Sequence, residues 1–283
     1  MIGLGLMGTA LTERLLEYGY GVAVWNRTRE KSAPLVARGA RWSDNPLAEC
    51  RRVIVSLYTS EVVAGVLGRM EAGLQPGQII VDTTTGEPGE TARLGQWLGA
   101  RGVRYLDAPI SGSSEQTRRG EATVIVGGER EAFDQCADLW RVLGRNVFYV
   151  GPCGSAARMK LISNLVLGLN RAVLAEGLAF AEALGVPPAA ALEVLQGSNA
   201  YSRAMDVKGR KLVERDYTVQ ARLSQHRKDV RLMLEAAAAA GLRLPLTETH
   251  EGLLERAEAA GLGDLDNSAI LEVLRLPGRR CAS

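Results

Sequence analysis

Cysteine and histidine are scarce in this 283-residue chain. Its four cysteines, Cys50, Cys136, Cys153 and Cys281, include no C-x-x-C pair, and His226 and His250 are the only histidines. A zinc site or a disulfide framework lacks ligands at usable spacing. Cys50 and Cys136 are expected to pack in helices, and Cys153 and Cys281 to lie in loops. Charge of one sign is missing too. The 34 basic and 32 acidic residues leave a formal net charge of +2, so nothing favours nucleic acid or an anionic membrane, and any bound anion must be held locally. No apolar run reaches the length of a membrane-spanning helix, and the N-terminus lacks the basic start and apolar stretch of a secretory signal. The expectation is a soluble, cytoplasmic protein.

What is present is alternation. After Gly8 the helical pattern TALTERLLEYG leads to the strand VAVWN; EKSAPLVARG, RRVIVSLY, EVVAGVLGRMEAGL and GQIIVDTTT repeat the cycle. GETARLGQWLGARG, VRYLDAPI, EATVIVGG, a helix over 131–143 and NVFYVGP extend it to about Gly154. Strands alternating with helices predict a parallel, doubly wound sheet. Beyond Val150 no strand pattern remains. One nearly unbroken helical pattern runs from Ala156 to Leu184, closed by Gly185, and further helices follow, the last entered by Asp266 and Asn267 as caps. The fold class is α/β, a doubly wound domain over 1–155 followed by an all-helical domain over 156–283.

The opening stretch MIGLGLMG places Gly3, Gly5 and Gly8 in G-x-G-x-x-G register. Such a motif belongs between a strand and a helix, yet only Met1 and Ile2 precede it, where a strand needs about 5–6 residues. Its context supports it: the motif opens a helix, which leads to a strand ending at Asn26, close to where a ribose-contacting residue belongs. Glycines there let the backbone approach a pyrophosphate, and the helix N-terminus offers N–H donors. Asn26-Arg27-Thr28 stands where an NAD-preferring enzyme usually has a carboxylate. A carboxylate would repel a 2′-phosphate, and this cluster can donate to one, so NADP is expected, with NAD possible. The plain alternative is that Arg27 is a solvated turn residue.

Two further stretches carry chemistry. LDAPISGS sets Asp107, Pro109, Ser111, Gly112 and Ser113 where a strand runs out, the edge at which such sheets bind ligands. Hydroxyls and N–H groups beside Gly112 can grip a small carboxylate, and an ordinary turn would read the same. GPCGSAARMKLISN puts Lys160 and Asn164 on one helical face. A lysine there can donate the proton that a carbonyl needs as hydride arrives, although lysine at helical spacing is ordinarily a surface residue.

Taken together, GLGLMG at 3–8, NRT at 26–28, DTTTGEP at 82–88, DAPISGS at 107–113, GPCGSAARMKLISN at 151–164, the pair Lys228 and Asp229, and the closing GLGDLDNSAI resemble the β-hydroxyacid dehydrogenase family. That family includes 3-hydroxyisobutyrate dehydrogenases and the glyoxylate and succinic semialdehyde reductases. The resemblance implies a Rossmann domain plus a helical domain, and an enzyme interconverting a small β-hydroxy acid and its semialdehyde. It implies Lys160 as catalytic acid/base, Asn164 and Ser111, Gly112 and Ser113 as substrate contacts, and a cofactor held by Gly3, Leu4, Gly5, Leu6, Met7, Gly8, Asn26, Arg27, Thr28, Thr85 and Lys228. It also implies a homodimer or homotetramer with the long helix at the subunit contact. Relatives normally carry about four or five more residues before the glycines, so the first strand is expected to be short. Ala221, Gln225, His226 and Arg227 depart from the family pattern and would make a substrate-facing segment more polar, with His226 either a substrate contact or a partly exposed structural residue. Ser113 replaces a frequent glycine and adds a hydroxyl. The rival readings are an imine reductase, which generally lacks the lysine, and a non-catalytic cofactor-binding protein.

Overall fold

A computed structural model describes residues 1–275; Cys281 lies outside the described residues. The chain divides into two compact units, Met1–Lys160 and a second from Leu161 onward.

The first unit carries strands β1 (Ala23–Val24), β2 (Arg41–Trp42), β3 (Arg52–Val55), β4 (Ile79–Asp82), β5 (Arg104–Asp107), β6 (Ile110–Ser111), β7 (Thr123–Val126) and β8 (Asn146–Tyr149). Between them lie α1 (Leu6–Glu17), α2 (Ala33–Val36), α3 (Pro46–Glu49), α4 (Ser60–Arg69), α5 (Pro88–Gly99), α6 (Ser114–Arg118), α7 (Arg130–Asp134) and α8 (Ala137–Leu143). β1 and β2 pair in parallel, as do β3, β4 and β5, and β7 and β8. Ile2 bridges both Trp25 and Val55 in parallel and so stitches β1 to β3, while an antiparallel bridge from Asp107 to Gly127 joins β5 to the end of β7. The short first strand is therefore a buried central stitch: Ile2 N–H donates to Ile54 O at 2.8 Å and Ser56 N–H to Ile2 O at 2.9 Å.

Alternation along these strands explains the double winding. On β3 and β4, Ile54, Ile79 and Val81 face one core with Leu11 and Leu106, whereas Val53, Val55 and Ile80 face another with Leu67 and Leu98. A sheet buried on both faces reads as continuous apolar runs, as these strands do.

Three details depart from the sequence reading. VRYLDAPI is two strands, because Pro109 has no N–H to offer a ladder, and β6 then runs antiparallel to β7. The helix expected over 131–143 breaks at Gln135–Cys136: the Trp140 indole N–H donates to Phe133 O at 2.8 Å, and Cys136 N–H closes a tight turn on that carbonyl at 3.1 Å. Cys136 consequently sits at a helix end instead of inside a helix, and Cys50 likewise lies outside a helix, as the C-cap of α3. Burial pushes the Cys136 thiol up to about 11.

The long helix α9 (Ser155–Ala183) begins in the first unit. The second unit adds α10 (Pro188–Gln196), α11 (Arg203–Glu214), α12 (Leu223–Ala239), α13 (Pro245–Ala259) and α14 (Ile270–Arg275). Its core joins Leu174 and Leu178 of α9 to Leu212, Leu223, Leu254 and Ile270. The polar helix α11 was not legible; its Gly209 admits Leu192 where a Cβ would come within 2.6 Å of a Leu192 methyl. α9 also corrects the expectation about apolar runs, since by length and composition it could cross a membrane. The reason is that both its faces are apolar: Leu161, Leu174 and Leu178 are buried, and Ile162, Val166, Val173 and Phe180 are exposed. A core helix passes the same test.

Candidate active site

In the first unit the glycine motif forms a tight turn into α1. Gly3 has φ +95°, and a Cβ there would lie 2.2 Å from Ser56 O; a Cβ on Gly8 would lie 1.9 Å from Gly3 O, so α1 seats directly on the turn. Gly5, the N-cap of α1, is exposed, and a Cβ there would meet nothing within 4 Å. The three positions thus supply a strained turn, an open approach and a close helix contact, which is what a pyrophosphate-binding turn requires. A dinucleotide fits these residues, with the N–H groups of Leu6, Met7 and Gly8 at the positive end of α1.

Asn26 has a role that the sequence did not reveal. Its Oδ1 accepts from Leu4 N–H at 3.0 Å and its Nδ2 donates to Thr28 O at 2.8 Å, so the side chain fastens the end of β1 to the glycine turn. Arg27 and Thr28 are exposed. Beyond β4, Thr84 Oγ1 accepts from Leu57 N–H at 3.0 Å, tying two strand ends together, and Thr85 follows half-buried. Beneath them the Tyr105 hydroxyl donates to Asp82 at 2.6 Å, and burial raises the Asp82 carboxyl above its ordinary value.

The ISGS turn after β6 places Ser111 and Gly112 half-buried, with Gly112 at φ +154°. Ser113 is the N-cap of α6: its Oγ accepts from Gln116 N–H at 3.2 Å, while Gln116 Oε1 accepts from Ser113 N–H at 2.9 Å. The extra hydroxyl is thus part of a capping box, and S-x-x-Q was the available signal. Lys160, on the second turn of α9, is only 5 % exposed. That observation removes the surface-lysine alternative, because a lysine is seldom buried without a specific role.

In the second unit Asn164 Nδ2 donates to Asp229 Oδ2 at 3.1 Å, and Lys228 Nζ pairs with Asp229 Oδ1 at 3.0 Å. The carboxylate joining two expected site residues, Asp229, was noted from sequence as half of the Lys228–Asp229 pair but was given no role there. The three polar residues before it differ in their surroundings. Gln225 is exposed, and Arg227 binds Glu251, Glu255 and Glu258 of α13. His226 is buried, its ring 5.2 Å from that of His250, against α9 at Gly168, where a Cβ would come within 2.7 Å of its Nε2. Burial, aided by the nearby Arg171 charge, lowers the pKa of His250 to about 4. A buried ion pair was missed altogether: Lys208 Nζ donates to Asp266 at 2.8 and 2.9 Å. Among the described residues no group of three His, Cys, Asp or Glu is placed to hold a metal.

A doubly wound unit with a dinucleotide turn, followed by a helical unit, defines the class of nicotinamide-dependent dehydrogenases with two such domains. Comparison with known proteins gives the family. Residues 1–151 match the NAD binding domain of 6-phosphogluconate dehydrogenase, and residues 154–274 match a family described as NAD-binding of NADP-dependent 3-hydroxyisobutyrate dehydrogenase. The chain is 29% identical over 280 residues to glyoxylate/succinic semialdehyde reductase 2 of Arabidopsis thaliana, covering 97% of this chain and 78% of that protein. It is 30% identical over 276 residues to the human cytokine-like nuclear factor N-PAC, covering 95% of this chain but spanning only half (50%) of that protein's length. A solved 3-hydroxyisobutyrate dehydrogenase from Salmonella typhimurium superposes with TM-score 0.88 at 25% identity, covering 96% of this chain and 98% of that one. The chain belongs to the β-hydroxyacid dehydrogenase family of NAD(P)-binding oxidoreductases.

Proposed function

We propose that this protein is an NADP-preferring reductase or dehydrogenase that interconverts a small β-hydroxy acid and its semialdehyde. The observation that carries the proposal is the buried Lys160 on α9, in a chain whose glycine turn fits a dinucleotide. The nicotinamide, when bound, donates or accepts the hydride. Lys160 gives a proton to the carbonyl oxygen as that carbon is reduced and takes it back from the hydroxyl in the reverse direction. Ser111 and Gly112 hold the substrate carboxylate through hydroxyl and N–H donors, Ser113 adds its hydroxyl proton while its N–H stays on Gln116, and Asn164, braced by Asp229, orients the substrate. With a net charge of +2 over the whole chain, recognition of that carboxylate rests on these local donors.

The reading is tested by following nicotinamide absorbance with glyoxylate, succinic, methylmalonate and tartronate semialdehydes, and a cyclic imine. Turnover of a carboxylate-bearing aldehyde is expected; reduction of the imine alone would contradict the assignment. For the cofactor, Arg27→Asp should cut the preference for NADPH over NADH by about tenfold to a hundredfold. It deletes a charge-assisted bond to the 2′-phosphate and installs a repelling carboxylate. An unchanged ratio of the two dissociation constants would sink this role for Arg27.

A further inference from the structure

We propose that Asp107 is a positioning residue for Lys160, holding the first turn of α9 in register from the end of β5. The inference rests on the reading of Lys160 as the acid/base. Asp107 Oδ2 accepts from Ala157 N–H at 3.0 Å, three residues before Lys160, and the amides of Gly154 and Ala156 also favour its ionised form. The first amides of a helix have no partner within the helix. Here they are served by a carboxylate from a distant strand, so the helix start is fixed to the sheet and not to its own loop.

The sheet side of this joint is equally constrained. Asp107 N–H donates to Gly127 O at 3.1 Å, and Gly127 N–H donates back to Asp107 O at 2.8 Å. A Cβ on Gly127 would lie 2.5 Å from Asp107 Oδ1, 3.0 Å from Pro152 O and 3.1 Å from Ala156 N. Only a glycine lets strand end, carboxylate and helix start converge. The arrangement has a cost, which argues against a role in stability alone: Oδ1 is buried with no hydrogen-bond partner. Burial raises the Asp107 pKa to about 6. The titratable groups facing it are Asp82 on β4, its register partner, Tyr105 on β5 and Cys153 in the turn before α9. None of them is a cation that would compensate it. Because the folded pKa is raised, the folded state takes up a proton before the unfolded chain does as pH falls. The ionised carboxylate therefore costs stability above about pH 6, and that cost is relieved below it. A charge kept at a cost is explained by what it holds in place.

The test compares Asp107→Asn, Gly127→Ala and Lys160→Ala with the unaltered chain. Asp107→Asn is expected to lower kcat by about tenfold to a hundredfold, because a small misplacement of a reacting group has that size of effect. KM for the aldehyde and the NADPH dissociation constant should stay within about twofold, and the melting temperature at pH 7 should not fall, since the costly charge is gone. Amide hydrogen exchange over 157–160 should quicken, a readout independent of turnover. Gly127→Ala keeps the charge but displaces the carboxylate, so it should reproduce the loss of kcat, and it decides the matter if Asp107→Asn does not fold. Unchanged kcat, or kcat, KM and melting temperature worsening together, would overturn the inference. If Lys160→Ala collapses turnover while Asp107→Asn leaves it intact, only the positioning role fails. If Lys160→Ala remains active, the reading beneath it fails as well.

Discussion

Lys160→Ala is expected to lower kcat by about a hundredfold to ten-thousandfold while leaving NADPH binding within about twofold of its original strength. The size follows from the task. Hydride transfer to a carbonyl leaves an oxygen that must gain a proton, and a positioned acid is worth that range in rate. The selectivity follows from the division of roles in the proposed function, because the substitution leaves intact the glycine turn and Arg27, to which the pyrophosphate and the 2′-phosphate are assigned. Fluorescence titration with NADPH beside steady-state assays separates the two effects. Equal loss of binding and turnover would assign Lys160 to the cofactor site, and undiminished kcat would remove it from the chemistry.

Asp266→Ala should cost about 3–5 kcal/mol of stability, the usual penalty for leaving one member of a buried ion pair alone. Asp266 is fully buried and accepts from Lys208 Nζ, from the amides of Gln220, Ala221 and Ser268, and from the Ser268 hydroxyl. Burial works against its charge, but the Lys208 ammonium and these donors outweigh it and hold the carboxyl below the usual carboxylate range. Because the folded pKa is depressed, the contribution is fully present above the ordinary carboxylate value and is lost as pH falls through the folded one. The deficit of the variant should therefore be constant between about pH 5 and 8 and shrink only in strong acid. Urea unfolding at several pH values measures it. A deficit under about 1 kcal/mol would show that the pair contributes no more than an exposed one.

The legible parts of this protein were local in sequence. Alternating apolar segments gave the doubly wound sheet, and Gly3, Gly5 and Gly8 gave the turn, because each depends on neighbours within a few residues. The Ser113 capping box was equally local but was missed, because the serine was read only as a carboxylate donor. Illegible parts depend on distant partners. Lys208 and Asp266 meet across 58 residues, Asp107 and Ala157 across 50, and Asn164 and Asp229 across 65. Nothing in local spacing announces such pairs. Lys160 illustrates the boundary: spacing alone allowed a surface lysine, and its burial settled that point. His226 marks the same boundary from the other side, since its packing on His250 depends on a second helix.

The most direct test of the central claim is isotope transfer. The chain is given NADPH deuterated on the transferable C4 position together with the aldehyde that it turns over fastest, and the hydroxy acid formed is analysed by mass spectrometry. The account predicts one deuterium on the carbon that bears the new hydroxyl. Cofactor that binds but yields no hydroxy acid, or product without deuterium at that carbon, would contradict it.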